Sequence, residues 1–240
     1  MRFKQDDIED MKSAAPTLRL AENISVPIGR DRAWSVRDVA KRAQDIILST
    51  AFLLILSGPM LIIAILIRLD SRGPAVFRQV RIGRRGKPFT FYKFRTMQAD
   101  NDDRAHREYV RQLIERDKPY EGESEFKIID DPRVTRVGRI LRYTSLDELM
   151  QLINVIKGEM SLVGPRPALS YEVRQYTEHE KQRLAAKPGL TGLWQVSGRT
   201  KIGFKKMIEL DIEYTQRRSF WLDIKIIALT IPAMIKTRGW

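Results

Sequence analysis

The chain has 240 residues, of which 43% are hydrophobic, and this suits one medium-sized domain with an attached element and a sizeable core. It contains no cysteine, which excludes disulfides, thiolate metal sites and a cysteine nucleophile, and its two histidines are too few for a histidine-rich metal site. The formal net charge of +13 indicates an anionic partner, which can be nucleic acid, a lipid surface or a phosphorylated substrate.

Two segments precede the main part of the chain. Residues 1–33 are polar, contain two prolines and lack strong periodicity, so we predict a flexible cytoplasmic tail there. Residues 46–67 form a run without a charged side chain. A straight helix of that length, with a rise of about 1.5 Å per residue, can cross the hydrocarbon layer of a membrane.

Ser57, Gly58 and Pro59 stand near the middle of this apolar run and predict a break in it. Proline lacks an amide donor and strains the preceding turn, while glycine permits a bend. Basic residues flank the run on both sides, and cationic flanks prefer the cytoplasmic face. We therefore predict a re-entrant helix-break-helix over residues 34–72. A kinked helix that spans the bilayer is the alternative, because prolines are common in membrane helices.

A strongly basic segment follows the apolar run. Nine basic residues and a single acidic one lie between positions 68 and 95. Residues 75–82 and 88–95 are rich in β-branched and aromatic side chains and flank a glycine-containing turn at 83–86, which predicts a basic hairpin. Such strands can also bind nucleic acid, but the adjoining apolar run favours lipid headgroups or a lipid phosphate as the partner.

The remainder, residues 73–240, is predicted to form the main domain. Its other predicted elements are a charged helix over 102–118, an apolar run at 126–129, helices over 146–158 and 171–186, and an interfacial helix over 224–235. Gly158 is expected to end the second of these helices. The glycines between 187 and 199 allow close approach of the backbone to a ligand, although ordinary loops use glycine in the same way.

Asp147 and Glu148 are adjacent carboxylates at a predicted helix start. An aspartate carboxylate can attack phosphorus to form an acyl phosphate, and a helix start stabilises its ionised form. Hard oxygen ligands such as these suit Mg²⁺, which would offset the repulsion between the nucleophile and an anionic phosphate. The alternative is a capping box, in which Ser145 and Glu148 satisfy backbone donors and nothing reacts.

Three arginines are candidates for binding phosphate. Arg142, Arg166 and Arg199 can each clamp phosphate oxygens through the planar donors of the guanidinium group. Arg166 can instead be a structural turn residue between two prolines, and Arg199 a solvated loop residue. The order of these residues along the chain, after a broken apolar helix, is a more specific indication of phosphate chemistry than any one of the residues.

The chain resembles the small monotopic phosphoglycosyl transferases, also called bacterial sugar transferases, over residues 36–240. The motifs that carry the resemblance are the SGP break at 57–59, YKFRTM at 92–97, DPR at 131–133, SLDEL at 145–149, QLINV at 151–155, MSLVGPRP at 160–167 and the stretch from KPG at 187–189 to Arg199. Met150 stands where the family often has proline, and Gly58 adds flexibility beside Pro59. Neither departure removes a reactive group.

The resemblance implies an α/β fold in a monotopic membrane protein, with an N-terminal re-entrant helix-break-helix, a compact cytoplasmic catalytic domain and interfacial amphipathic helices. It implies transfer of a sugar phosphate from a UDP-sugar to polyprenol (undecaprenyl) phosphate, with release of UMP, at the cytoplasmic face of the bacterial inner membrane. Anionic lipid headgroups are then expected partners, nucleic acid is not, and a homo-oligomer stays open.

By motif match, Asp147 would be the nucleophile, and Glu148 would assist Mg²⁺ binding or proton handling, so that both can hold the metal. Arg142, Arg166 and Arg199 would bind phosphate. Two other hypotheses stay open: a membrane-anchored adaptor without catalytic activity, and direct attack by the lipid phosphate without a covalent intermediate. The sequence does not identify the sugar, because selection among hexoses depends on hydroxyl contacts that the sequence does not fix.

Overall fold

The computed structural model describes residues 36–98, 108, 110–112, 114–115, 131–198 and 202–236. The predicted tail over residues 1–33 and the apolar run at 126–129 lie outside these ranges. Of the predicted helix over 102–118, only the residues between 108 and 115 that are named above are described, and all of them are helical.

The first helix, α1, extends from Val36 to Asp70 with Pro59 inside it. The Ser57 hydroxyl donates a hydrogen bond of 2.8 Å to the carbonyl oxygen of Leu54, one residue before the carbonyl that loses its usual donor at Pro59. The predicted break at 57–59 therefore does not end the helix. The re-entrant path through a bilayer stays a prediction.

The middle of α1 is apolar and exposed. Leu54 and Ile55 each have 72% of their surface exposed. Phe52, Leu61 and Ile62 are also exposed. Among the described residues, α1 is the one helix long and apolar enough to cross a membrane. An exposed apolar surface of this length indicates contact with lipid.

The predicted basic hairpin is confirmed. Strand β1 (Val76–Ile82) pairs antiparallel with β2 (Pro88–Phe94), and the register joins Val76 to Phe94 and Ile82 to Pro88. Arg85 and Gly86, in the turn between them, have positive φ angles of 60° and 77°. Strand alternation places Arg78 and Arg81 on opposite faces, so the basic segment is not a single surface.

The helix predicted to begin near Leu146 starts as a 3₁₀ helix. Helix α2 (Arg136–Thr144) precedes this 3₁₀ helix (Leu146–Met150), and α3 (Gln151–Lys157) follows it. Gly158 ends α3 in the left-handed conformation, with φ 84°, as the sequence predicts.

A second, small sheet follows α3. Strand β3 (Ser161–Val163) pairs in parallel with β4 (Gly189–Thr191). A Cβ atom added at Gly164 would lie within 3 Å of the Lys187 carbonyl oxygen and of the Gly189 nitrogen. These glycines therefore allow two backbone segments to meet. Close approach of the backbone to a ligand, which the sequence also allows, stays a prediction.

The continuous helix predicted over 171–186 is wrong. Helix α4 (Ser170–Val173) ends early, and a 3₁₀ helix (Glu180–Ala185) follows it. Between them the Glu180 carboxylate accepts a hydrogen bond of 2.7 Å from the Thr177 amide, and the Thr177 hydroxyl accepts one of 3.3 Å from the Glu180 amide. This reciprocal pair is a capping box, and it starts a new segment.

Three helices follow within the described residues: α5 (Leu193–Ser197), α6 (Phe204–Arg217) and α7 (Phe220–Lys236). Helix α7 contains Pro232 and exposes apolar side chains, among them Trp221 with 77% of its surface exposed. This exposure agrees with the predicted interfacial helix near the C-terminus. A position in the membrane interface stays a prediction.

The N-terminal part of α1 is fastened to the domain by polar side chains. Lys41 donates a hydrogen bond of 2.5 Å to Asp223 of α7. Arg42 donates to the carbonyl oxygens of Val155 and Ile156, at 2.6 Å each, in the last turn of α3. The first third of α1 thus belongs to the folded domain.

The C-terminal end of α1 is fastened to the same domain. Asp70 accepts a hydrogen bond of 2.9 Å from the amide of Val137, in the first turn of α2. Arg95, just after β2, donates to the carbonyl oxygens of Ser71, at 2.8 Å, and of Arg72. Ile63, Ile67, Phe94 and Leu141 form the adjoining apolar cluster. The described residues together form a mixed α/β structure with α1 as its apolar extension.

Candidate active site

Asp147 lies in the first turn of the 3₁₀ helix. Ser145 is the residue immediately before that helix. Ser145 has a left-handed backbone, with φ 57° and ψ 19°, and its amide N–H caps the end of α2. The alternative of a capping box at this position does not hold, because the Ser145 side chain makes no capping hydrogen bond. A non-glycine residue at positive φ is uncommon and is found often at functional sites. Directly after the left-handed Ser145, Leu146 is partly exposed and Asp147 is buried.

The carboxylate of Asp147 is buried without being satisfied. Only 2% of the residue is exposed, and its Oδ1 atom accepts no hydrogen bond from the part of the chain that the structure describes. Buried polar atoms are normally paired, because an unpaired one loses its hydration without compensation. An acceptor of this kind is suited to a group that arrives with the substrate.

Arg142 interacts electrostatically with Asp147, Asp131 and Arg133. Burial lowers the pKa of Arg142, while Asp147 and Asp131 act in the opposite direction. Arg133 donates to the two oxygens of Asp131 at 2.8 and 2.6 Å, and these hydrogen bonds lower the pKa of that carboxyl. Arg133 thus neutralises Asp131, whereas no hydrogen bond joins the Arg142 guanidinium to a described residue. Arg142 can therefore bind an anion beside Asp147.

Arg166 follows β3 and is held by the fully buried Glu172. Its Nη1 atom donates to both carboxylate oxygens of Glu172, at 3.2 and 3.1 Å. Burial would raise the pKa of Glu172, but the guanidinium groups of Arg166, Arg81 and Arg183 outweigh it and hold that pKa below its usual range. The ion pair fixes the direction of the Arg166 guanidinium, as a binding residue requires.

A further layer of buried side chains supports the Arg166 backbone. Arg183 donates a hydrogen bond of 3.1 Å to the carbonyl oxygen of Arg166 and one of 2.5 Å to the hydroxyl of Tyr176. It also forms a buried salt bridge with Asp211 of α6. The position of Arg166 is thus set from both its side chain and its main chain.

Arg81 connects the two groups of charges. Burial, followed by the charge of Arg166, lowers the pKa of Arg81 to about 10, against the opposing effects of Glu172, Tyr171 and Glu148. Arg81 therefore interacts electrostatically with the neighbour of Asp147 and with the Arg166 ion pair. Its guanidinium also lies 5.2 Å from the ring centre of Phe91.

Sequence reasoning missed Arg81, Glu172 and Arg183. Arg81 was merged with the other cations of the hairpin, although the period-two alternation of β1 separates it from Arg78. Glu172 and Arg183 lie in a stretch interpreted as one amphipathic helix, and nothing in their spacing reveals that both are fully buried. Of the predicted arginines, Arg142 and Arg166 are in this region, and Arg199 lies outside the described residues.

Binding of a Mg²⁺ ion by the carboxylates of Asp147 and Glu148 stays a prediction. Magnesium is usually held by one or two carboxylates, with water and substrate phosphates completing its shell. In the described ranges no group of three or more metal-binding side chains is found, so a closed protein cage is absent there. The unsatisfied Oδ1 atom of Asp147 is compatible with a cation that is also bound by the substrate.

The long exposed apolar helix and the mixed α/β domain indicate a membrane-associated protein. Residues 36–237 match the family described as bacterial sugar transferase, and the chain belongs to that family. This agrees with the resemblance that the motifs indicate.

Several curated relatives are similar to this chain. It is 42% identical over 205 residues to the galactosyl transferase CpsE of Streptococcus agalactiae, an alignment that covers 84% of this chain and 43% of that protein. It is 42% identical over 201 residues to the undecaprenyl-phosphate galactose phosphotransferase of Salmonella typhimurium, covering 83% and 41%. It is 38% identical over 229 residues to the exopolysaccharide production protein ExoY of Rhizobium meliloti, covering 95% and 99%. The chain thus spans about two fifths of the first two relatives and nearly all of the third.

Proposed function

We propose that this chain transfers a sugar 1-phosphate from a UDP-sugar to undecaprenyl phosphate, with release of UMP. The sugar would be a hexose such as galactose or glucose, and the site would face the cytoplasm at the bacterial inner membrane. This would be the first membrane step of exopolysaccharide or related glycan synthesis. The activities named for the relatives, among them the Salmonella undecaprenyl-phosphate galactose phosphotransferase, support this class of reaction.

The observation that carries the proposal is the buried, unsatisfied carboxylate of Asp147 beside Arg142. A carboxylate kept only as a helix cap would have its oxygens hydrogen-bonded to backbone amides or to water. Instead, one oxygen accepts nothing from the described residues, and a cation lies close enough to interact with it. A phosphate bound by Arg142 would place its phosphorus near that oxygen.

The proposed reaction has two displacements at phosphorus. An oxygen of the Asp147 carboxylate attacks the phosphorus that carries the sugar, a new P–O bond forms, and the bond to the UMP oxygen breaks. An oxygen of undecaprenyl phosphate then attacks the same phosphorus and releases Asp147 as a carboxylate. The nucleophile is thus regenerated, and the products are UMP and a lipid-linked sugar diphosphate.

The other residues would position and neutralise phosphate. Arg142 would bind the phosphate under attack, and Arg166, oriented by Glu172, would bind the neighbouring phosphate oxygens. Arg199 stays a proposed third phosphate ligand on the basis of its motif alone. Asp147 and Glu148 would hold Mg²⁺, which supplies neutralisation of phosphate charge when bound.

UMP release in the absence of the lipid acceptor tests the covalent step. With UDP-galactose and Mg²⁺ alone, we expect the full chain to release about one UMP per enzyme, because the aspartyl intermediate then has no acceptor. Asp147→Asn should abolish this release, since an amide is a much poorer nucleophile. Quenched-flow chromatography of the nucleotides measures the amplitude, and UDP-glucose is run in parallel.

The matched control is Glu213→Gln, which removes an exposed carboxylate of α6 that pairs only with Arg217 among the described residues. It should leave the amplitude unchanged. An undiminished release with Asp147→Asn would remove that residue from the nucleophile role. Turnover with lipid phosphate but no release without it would instead support direct attack by the lipid.

A further inference from the structure

A charged pocket of about 80 Å³ lies where the base of α1 meets the hairpin turn and the end of α6. Ten residues line it, and none of them belongs to the candidate active site. Five are cations: Lys41, Arg42, Arg84, Lys187 and Arg218. The two acidic residues of the lining are Asp38 and Asp45, so the lining carries an excess of positive charge.

Internal contacts occupy some of these cations. Lys41 is paired with Asp223, and Arg42 is directed to the end of α3. Arg218 forms a longer contact with Asp38, at 3.4 Å. Asp45 accepts hydrogen bonds from the hydroxyl and amide groups of β3, and it pairs with none of the five cations.

Arg84 and Lys187 are less completely satisfied. Arg84 uses its Nε atom for a hydrogen bond of 3.1 Å to the carbonyl oxygen of Ala185. The ammonium of Lys187 forms no hydrogen bond or salt bridge with any residue that the structure describes. Burial lowers the pKa of Lys187, and the charges of Arg42, Arg84 and Lys41 lower it further, against the effect of Asp45. An anion in the pocket would relieve this repulsion.

The position of the pocket indicates where such an anion comes from. The exposed apolar surface of α1 begins at Ile46, directly after Asp45. Trp221, with most of its surface exposed, lies three residues after Arg218 at the start of α7. Two exposed apolar surfaces, on α1 and on α7, therefore begin within a few residues of the pocket lining, and surfaces of this kind suit lipid.

We propose that this pocket binds the phosphate group of an anionic phospholipid from the surrounding bilayer. Its volume is well below the roughly 300 Å³ at which sites for drug-sized ligands begin, so it admits a headgroup phosphate but not a nucleotide. A zwitterionic lipid would bring its own ammonium or choline cation against the unpaired positive charge. Phosphatidylglycerol would not, and it is the ligand class that the charge balance favours.

This assignment does not depend on the proposed phosphoglycosyl transfer. It concerns a separate group of side chains and is tested by a binding measurement, so the two proposals can fail independently. It also differs from general attraction of a basic protein to anionic membranes, because it requires one phosphate at one site.

The reactivity of the Lys187 amine tests the proposal. The full chain is treated with an amine-reactive reagent at a fixed pH in micelles with or without phosphatidylglycerol, and labelling is read by peptide mass spectrometry. A bound phosphate should raise the pKa of Lys187 by about one unit and slow its labelling about ten-fold. Lys206, exposed on α6 about 18 Å along that helix from Arg218, is the internal control and should be unaffected.

Two variants test whether the rest of the pocket is required. Arg84→Gln should remove most of the protection of Lys187 by phosphatidylglycerol. Arg139→Gln, an equal change of charge at an exposed position of α2, should preserve it. Equal protection in all three proteins would overturn the proposal.

Two further arms distinguish the sources of phosphate. Phosphatidylcholine micelles should give no protection, and equal protection by both lipids would overturn recognition of an anionic headgroup. Inorganic phosphate, at the headgroup concentration and in phosphatidylcholine micelles, should protect Lys187 far less than phosphatidylglycerol. Full protection by inorganic phosphate would make this a site for soluble phosphate and would overturn the lipid assignment.

Discussion

Glu172 is a fully buried carboxylate whose charge is required by three arginines. Arg166, Arg81 and Arg183 all lower its pKa, and Arg166 donates to both of its oxygens. A buried ion pair costs desolvation on both sides, but the removal of one partner leaves the other charge uncompensated. Glu172 is therefore a positioning residue, which acts through Arg166.

We expect Glu172→Gln to lower the free energy of unfolding by about 3 kcal/mol or more at neutral pH, because Arg166 loses its ion-pair partner and Arg81 and Arg183 lose a neighbouring negative charge. The pKa of Glu172 in the folded protein lies below its ordinary value of 4.5. Its stabilising contribution is thus complete above pH 4.5 and is lost as the pH falls through the lowered folded value. The difference between wild type and variant should shrink over that acidic range. Urea unfolding in one detergent, followed by tryptophan fluorescence, measures it.

Glu213→Gln is the control, because Glu213 and Arg217 form an exposed pair one helical turn apart. Such pairs contribute about 0.3–0.5 kcal/mol, so this variant should unfold almost like the wild type. A Glu172→Gln protein as stable as this control at every pH would contradict the charged network. If it folds, a rise in the KM for UDP-sugar with Arg166 mispositioned would separate the positioning role from a purely structural one.

Among single residues, the sequence selects candidates whose side-chain type suits phosphate chemistry and misses those whose role depends on burial, and the roles of the selected candidates stay predictions. Asp147 and Arg166 could be selected because carboxylate and guanidinium groups suit phosphate. A capping box was the alternative interpretation at Ser145, but the structure forms one at Thr177, since the same residue pattern occurs at both places and only the fold decides which backbone is free. Glu172 could not be found without its tertiary partners.

The elements around the site are joined through helix ends and close backbone contacts. Arg42 satisfies the end of α3, and Arg95 satisfies the end of α1. Gly164 allows β3 and the segment before β4 to approach closely, and Arg166 follows two residues later. Small errors at these junctions would therefore reach Arg166 and the proposed phosphate-binding region.

Two glycine-to-alanine changes test this close approach. Gly164→Ala should destabilise the protein by about 2 kcal/mol, because the new methyl group would overlap backbone atoms that have little room to move. Gly58→Ala adds the same methyl group inside α1, where no atom lies within 4 Å, and should cause no loss. Thermal unfolding midpoints of the two variants in the same detergent make the comparison. Equal midpoints would show that the β3 junction tolerates a side chain.

Periodicity predicted the elements in which one residue pattern is sustained. The hairpin was found because alternation and a glycine turn coincide, and Gly158 was found as a helix end. The helix over 171–186 was wrong because its apolar spacing continues across Thr177, where a side-chain capping box outweighs periodicity. Strands of three residues, such as β3, are too short to show a period.

In the whole molecule, both ends of α1 bind one domain. Arg42 contacts Val155 near the start of the helix, and Arg95 contacts Ser71 just beyond its end. These attachment points are themselves connected, because Asn154 accepts a hydrogen bond of 3.1 Å from the amide of Tyr92. A straight helix would separate Arg42 from Ser71 by about 44 Å. Both attachment points thus belong to one domain, and the path of α1 on either side of Pro59 relative to a bilayer stays a prediction.

Cysteine accessibility tests whether this geometry produces a re-entrant membrane segment. The chain has no cysteine, so Arg37→Cys and Lys87→Cys each introduce a single thiol at an exposed position, one before the apolar part of α1 and one after it. If α1 enters and leaves on one face, an impermeant thiol reagent should label both from the same side of sealed vesicles. Ile55→Cys, exposed in the structure but within the apolar run, should stay unlabelled from either side because lipid covers it. Labelling of Arg37→Cys and Lys87→Cys from opposite sides would establish a spanning helix. It would also contradict the contacts of Lys41 and Arg42 with the domain. Those two residues would then lie on the side of Arg37, whereas the domain would lie with Lys87 on the opposite side.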